Sequence, residues 1–154
     1  LGTPLLKSLR RATGNTVLLI YWNGELLECL AKETDENAIA MQRVGDLRTD
    51  LFSYPWSPFV WQCLVSHGRT ADELAGMDAP TKEMEASLDA WRKAGYIFVN
   101  SPSIRRFAAP IIGADGRLLG AIGLGGTHAT VPDNRIEEIG SAVAAHASEL
   151  CSEE

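Results

Sequence analysis

The stretch IRRFAAPIIGADGRLLGAIGLGG, Ile104 to Gly126, sets the fold. Two apolar runs flank GADG, where Gly and Asp supply the backbone angles of a tight reversal, so it reads as a β-hairpin. A loop of Gly113 to Gly116 pairs Ile112 with Arg117. That register sets Arg106 opposite Gly123, Ala108 opposite Ala121 and Ile104 opposite Gly125. Side chains alternate faces along a strand, so these residues share one face. Phe107, Ile111, Leu118, Ile122 and Leu124 share the other. The bulky face calls for a layer of helices. The opposite face is nearly bare, with a guanidinium at its edge, and is either closely covered by backbone or left as a hollow.

Upstream, Thr3–Pro4 opens a helix whose apolar face is Leu5, Leu9 and Ala12, and Gly14 stops it. Val17 to Trp22 and Glu25 to Leu30 flank Asn23–Gly24, a strong hairpin pattern. Residues 33 to 37 form an acidic turn, and Ala38 to Val44 suit another short strand. Gly45 to Tyr54 fits an edge strand or a long loop. Ser57–Pro58 begins a helix to about His67, and Thr70 to Glu73 is a capping box for a short helix ending near Gly76. Met84, Leu88 and Trp91 mark a helix that closes at Gly95. Tyr96 to Val99 is a strand. Beyond the hairpin, Pro132 begins a final helix with Ile136, Ile139, Val143, Ala147 and Leu150 on one stripe. The pattern predicts one α+β domain over 1–154, with a mainly antiparallel sheet.

The chain has 154 residues, 45% hydrophobic and 22% charged, with a formal net charge of −6. A chain this long buries roughly two-thirds of its unfolded surface. The acidic balance and the absence of any Lys/Arg block argue against nucleic acid or an anionic membrane as a direct partner. No apolar run approaches the roughly 20 residues of a membrane span. Cys29, Cys63 and Cys151 are odd in number and far apart, which points to thiols in a reducing compartment, the cytoplasm, rather than a disulfide frame or zinc site. The chain starts at Leu1 without Met, as a fragment lacking its N-terminal portion would.

Gly120 to Gly126 invites a nucleotide-loop reading, but it lacks the Lys-Ser/Thr of a phosphate loop and no helix follows at once. A bare strand in close packing is the simpler account. His67, His128 and His146 have no ligand spacing, and Cys63 is not nominated as a nucleophile. No catalytic residue, metal site or cofactor is expected. Phe52, Tyr54, Trp56, Phe59 and Trp61 crowd a loop-to-helix junction. They either fill a core or subunit interface or form an apolar wall over a ligand. Arg106 is either solvent-facing and paired with a carboxylate, or a planar fork for a ligand carboxylate.

TGNTVLLIYWNGELLECL (Thr13 to Leu30), RVGDLR (Arg43 to Arg48), AGY (Ala94 to Tyr96) and FAAPIIGADGRLLGAIGLGG (Phe107 to Gly126) resemble, in order and spacing, the effector-binding domain of IclR-family transcriptional regulators. The resemblance spans nearly the whole chain. It implies a GAF-like fold, a small-molecule effector, often an organic acid, and a homodimer or homotetramer. Operator DNA would be bound only through an N-terminal winged helix–turn–helix that this chain does not contain.

The family's pocket positions depart from its pattern. Val99 stands where many members have Asp, Arg106 where Cys is frequent, and Gly123 and Gly125 where two serines hold a small carboxylate. The helix opening reads Pro55 to Gln62. These changes remove the polar set suited to glyoxylate or pyruvate and favour a larger carboxylate, aromatic or hydrophobic. Phe52, Trp56, Pro58 and Phe59 would form its wall, Ala40 and Val99 the sides, Gly123 and Gly125 the floor, and Arg106 the anionic anchor. Two other readings are a ligand-free oligomerisation module with a plugged pocket and a small GAF-like enzyme.

Overall fold

The computed structural model describes residues 3–22, 27–34, 47–48, 90–100, 102–115 and 118–152. Helix α1 is Thr3–Thr13. Gly14 closes it at φ 72°, a left-handed angle that favours glycine, and its N–H donates to the Arg10 carbonyl at 2.7 Å. The buried stripe is Leu6, Leu9 and Thr13, while Leu5 is half-buried and Ala12 exposed. The expected Leu5–Leu9–Ala12 face is therefore rotated. Thr13 can take a core position because its hydroxyl donates to the Leu9 carbonyl at 2.8 Å, which satisfies the buried oxygen.

Strand β1 (Thr16–Trp22) pairs antiparallel with β2 (Leu27–Glu33), and the last pair, Trp22 with Leu27, brackets the expected Asn23–Gly24 turn. The turn itself lies outside the described residues. β2 runs to Glu33 rather than ending at Leu30, because an irregularity between Leu19 and Ile20 passes over Leu30 and lets the ladder continue. Leu30, the residue passed over, is left 46% exposed. β3 (Leu47–Arg48) is a two-residue strand that pairs with Leu27 and Glu28, so the ambiguous Gly45–Tyr54 segment includes an edge strand. The strand expected over Ala38–Val44, the helices expected from Ser57 to His67 and from Thr70 to Gly76, and the aromatic cluster fall outside the described residues.

Residues 90–94 are helical and close at Gly95, whose φ is 82° and whose N–H donates to the Trp91 carbonyl at 2.9 Å. β4 (Ile97–Asn100), β5 (Arg105–Ile112) and β6 (Leu118–Gly126) follow. Pro132 then caps a 3₁₀ turn, Asp133–Arg135, which feeds α2 (Ile136–Ser152). Among the described residues six strands lie in the order β3-β2-β1-β6-β5-β4, and each of their pairings is antiparallel. This is an α+β fold, as the sequence predicts.

The hairpin register differs from the one read from the sequence. Arg106 pairs with Gly125 rather than Gly123, Ala108 with Gly123 rather than Ala121, and Ile104 precedes the ladder. Ile112 pairs with Leu118 rather than Arg117, and an irregularity falls between Ile111 and Ile112. The pairing slides by two along most of the ladder. Because side chains alternate with period two, that shift keeps the face assignments of Arg106 to Ile111 and of Ala121 to Leu124.

The bulky face packs as expected. Phe107, Ala109, Ile111, Ile122 and Leu124 join Val17 on β1, Leu6 and Leu9 on α1, and Ile139, Val143 and Ala147 on α2 in one buried cluster. The Leu118 side chain lies outside the described ones. Arg135 secures the two helices to each other: its Nη2 donates to the Ala12 carbonyl at 3.3 Å, at the negative end of α1, and its Nε reaches Glu138 at 3.1 Å.

Candidate functional site

The sheet face away from the helices is built in rows that cross the strands. The first row is Val99 (β4), Arg106 (β5), Gly125 (β6) and Thr16 (β1). The second is Ile97, Ala108, Gly123, Leu18 and Lys32. The third is Pro110, Ala121 and Ile20. In the second and third rows the β5 and β6 residues, Ala108, Gly123, Pro110 and Ala121, are small, and their neighbours on β4 and β1, Ile97, Leu18 and Ile20, are larger. In the first row Arg106 stands beside Gly125. Strands sit about 4.8 Å apart, so these two walls stand roughly 14 Å apart between backbones. The result is a trough floored by Ala108 and Gly123, with Ile97 and Val99 on one bank and Leu18 and Ile20 on the other.

Burial differs across this trough. Leu18, Ile20, Ile97 and Ala121 are no more than 2% exposed. Val99, Arg106, Ala108, Pro110 and Gly123 are only half-buried. Except at Val99 the banks are withdrawn from water, while Ala108 and Gly123 on the floor retain access to it.

Three glycines of β6 report on the two faces of the sheet, Gly120 and Gly126 on the helix side and Gly123 in the trough. A Cβ at Gly120 would overlap the Ile20 carbonyl oxygen, and one at Gly126 would overlap Asn15 Oδ1. At Gly123 a Cβ would meet, among the described residues, only Leu18 Cβ and the Phe107 oxygen, both at 4.0 Å. The helix side of the strand is closely packed at Gly120 and Gly126, while the trough side at Gly123 has space to that depth among the described residues. Of these three glycines only Gly123 reports on the trough face, because Gly120 and Gly126 pair with the helix-side residues Ile111 and Arg105.

Of the residues proposed from sequence, Val99, Arg106 and Gly125 share one row and Gly123 lies in the next. Arg106 stands at the end of the trough, beside Val99 and Gly125. Ala40, Phe52, Trp56, Pro58 and Phe59 lie outside the described residues. The banks Leu18, Ile20 and Ile97 escaped the sequence reading. Their alternation with Val17 and Leu19 was visible, but both sets are aliphatic, so nothing in residue type marked which faced the trough.

Arg105 was also missed. It points to the helix side, with Phe107, and is 7% exposed. Its Nη1 donates to the Val131 carbonyl at 2.8 Å, its Nε donates to Asn100 Oδ1 at 3.2 Å, and its Nη2 pairs with Asp133 at 2.6 Å. One guanidinium thereby joins the end of β4, the start of β5 and the turn that leads into α2. Its odd position among Phe107, Ala109 and Ile111 was the available sequence clue.

No group of three or more His, Cys, Asp or Glu comes together for a metal ion among the described residues. No described helix is long and apolar enough to cross a membrane. His146 sits between the helices, its Nδ1 2.7 Å from the Ala142 carbonyl and its Nε2 3.4 Å from Ser8 Oγ.

Solved structures share this architecture across almost the entire chain. The Thermotoga maritima IclR superposes with a TM-score of 0.77 at 19% identity over 99% of the chain. A domain of an IclR-family transcriptional regulator gives 0.75 at 17% over 99%, and the C-terminal domain of a Vibrio cholerae transcriptional regulator gives 0.73 at 18% over 96%. The chain has the fold of IclR-family regulator C-terminal domains. It accounts for 93% and 92% of the two isolated domains but 66% of the Thermotoga maritima IclR, about two-thirds of that protein. No family model matches the sequence, and no curated protein matches it. The fold is thus preserved where sequence likeness is slight.

Proposed function

We propose that this chain is the effector-sensing domain of an IclR-family transcriptional regulator, and that it binds a carboxylate larger than pyruvate in the trough between β4 and β1. The observation that carries this reading is the space at Gly123, among the described residues, between the buried Ile97 on one bank and Leu18 and Ile20 on the other, with Arg106 at one end. Apolar banks suit a hydrophobic or aromatic body, and a guanidinium fork suits a carboxylate. The aromatic segment 52–61, with Phe52, Trp56, Pro58 and Phe59, and Ala40 would complete the wall. The regulator would act in the cytoplasm as a homodimer or homotetramer. A ligand that prefers one quaternary arrangement shifts the population toward it and so changes the spacing of attached DNA-binding domains.

Calorimetric titration with benzoate, phenylacetate, hexanoate, pyruvate and glyoxylate tests the reading. At least one of the three larger acids binds, at least tenfold more tightly than pyruvate. Arg106→Gln weakens that acid by about tenfold or more, the loss of one charge-assisted contact. The full burial of Leu18, Ile20, Ile97 and Ala121 favours a second reading, an oligomerisation module with a filled trough. Binding of none of the five acids would select it.

A further inference from the structure

Arg105 and Arg106 are neighbours on one strand and serve opposite faces of the sheet. Arg106 stands in the trough row with Val99 and Gly125. Arg105 is buried on the helix side and binds Asn100, Val131 and Asp133. A single peptide unit links the two, and a peptide unit is rigid, so tilting it re-aims both side chains. A guanidinium presents its donors in a fixed fork, so Arg105 cannot follow such a tilt without lengthening or losing one of its contacts.

Those contacts differ in strength. The Val131 carbonyl belongs to a fully buried residue, and Val131 also donates its own N–H to the Thr127 carbonyl at 2.9 Å. Asp133 has a side chain 88% exposed, so water can replace the guanidinium there at little cost. The clamp therefore has a fixed arm at Val131 and a releasable arm at Asp133. Asp133 opens the 3₁₀ turn that becomes α2, and α2 packs along β5 through the main core.

We propose that Arg105 couples the trough to the first turn of α2, so that engagement of Arg106 on one face is exchanged for the Arg105–Asp133 contact on the other. This deepens the sensing role proposed above and rests on it: a signal leaves the pocket through the sheet to the helix side.

Hydrogen exchange of the amides in residues 131–140 tests the coupling, with and without saturating benzoate, in the wild type and in Asp133→Asn. Benzoate changes exchange in this segment at least threefold in the wild type. Asp133→Asn loses that response while its benzoate affinity, measured by calorimetry, stays within twofold; Asp133→Glu restores the response. An unchanged response in Asp133→Asn overturns the coupling, as does no response in a wild type that binds benzoate. Where benzoate does not bind, phenylacetate or hexanoate takes its place in both arms; failure of all three counts against the ligand reading, and a ligand-free arm then decides the coupling. Arg106→Gln, on the opposite face, alters exchange at 131–135 at least threefold in the absence of any acid; exchange equal to wild type overturns the proposal.

Discussion

The ring of Tyr96 lies directly against Gly140, so closely that a methyl group on Gly140 would overlap the ring carbons. Tyr96 also contacts Phe107, with ring centroids 6.0 Å apart, and Phe107 contacts Phe98 at 5.0 Å. The glycine lets α2 approach the sheet to the distance that this aromatic row requires. Gly140→Ala gains helix propensity of up to about 1 kcal/mol but forces overpacking, which costs about 1–3 kcal/mol. The expected result is a lower thermal midpoint, by about 2–4 °C for each net kcal/mol lost. A midpoint equal to or above wild type would show that the ring moves aside freely.

Tyr96 also makes stability depend on alkaline pH. Burial raises its hydroxyl above the ordinary 10.0, and the charge of Glu137 raises it further. The folded state therefore holds this proton more tightly than the unfolded state. The resulting stabilisation is complete below pH 10 and is lost as pH rises through the folded-state value. Thermal midpoints between pH 8 and 11.5 will fall more steeply above pH 10 in wild type than in Tyr96→Phe. Parallel curves would remove Tyr96 as the source.

The glycines of β6 should respond in opposite ways. Gly120→Ala drives a methyl into the Ile20 carbonyl and disrupts the β1–β6 ladder, at a cost of about 2 kcal/mol or more. Gly123→Ala meets nothing nearer than 4.0 Å among the described residues. It removes unfolded-state freedom and should leave stability unchanged or raise it by up to about 1 kcal/mol. Urea melts of the two variants compare them directly. A large loss in Gly123→Ala would mean that the centre of the trough is closely covered.

The faces of the terminal hairpin were legible in its sequence, and its register was not. The alternation of Phe107, Ala109 and Ile111 with Arg106, Ala108 and Pro110 has period two, which survives a slide of two residues. The slide itself is set at the strand ends, where Ile112 pairs with Leu118 rather than Arg117 and an irregularity falls between Ile111 and Ile112. Leu30 has the same origin, since an aliphatic residue passed over by the ladder cannot be told by type from its neighbours. The trough was legible only through its small residues. Its banks, Leu18, Ile20 and Ile97, read like any core aliphatics, and the buried role of Arg105 depends on partners 26 and 28 positions away along the chain.

Helix α1 offers a test of face assignment. Leu6 is fully buried against the core that includes Ile139 and Val143, whereas Ala12 is exposed. Leu6→Ala leaves a cavity and should cost about 2–5 kcal/mol. Ala12→Gln, on the face that the sequence pattern assigns to the core, should stay within about 0.5 kcal/mol of wild type. Denaturant midpoints of the two would be reversed if the Leu5–Leu9–Ala12 stripe were the packed one.

Arg105 should matter more to stability than its exposed partner does. Arg105→Met keeps much of the aliphatic volume but leaves the Val131 carbonyl and Asn100 Oδ1 without this donor. A buried group deprived of its partner costs about 1–3 kcal/mol, so a loss of about 2–4 kcal/mol is expected. Arg105→Lys keeps the charge but not the fork, and one ammonium cannot span Asn100, Val131 and Asp133 together; it recovers only part of the loss. Asp133→Asn trims an 88% exposed side chain and should cost less than about 1 kcal/mol. Urea unfolding should therefore rank wild type close to Asp133→Asn, then Arg105→Lys, then Arg105→Met. If Asp133→Asn were as damaging as Arg105→Met, the exposed ion pair would be the main hold on the turn, and Asp133 could not be the arm that lets go.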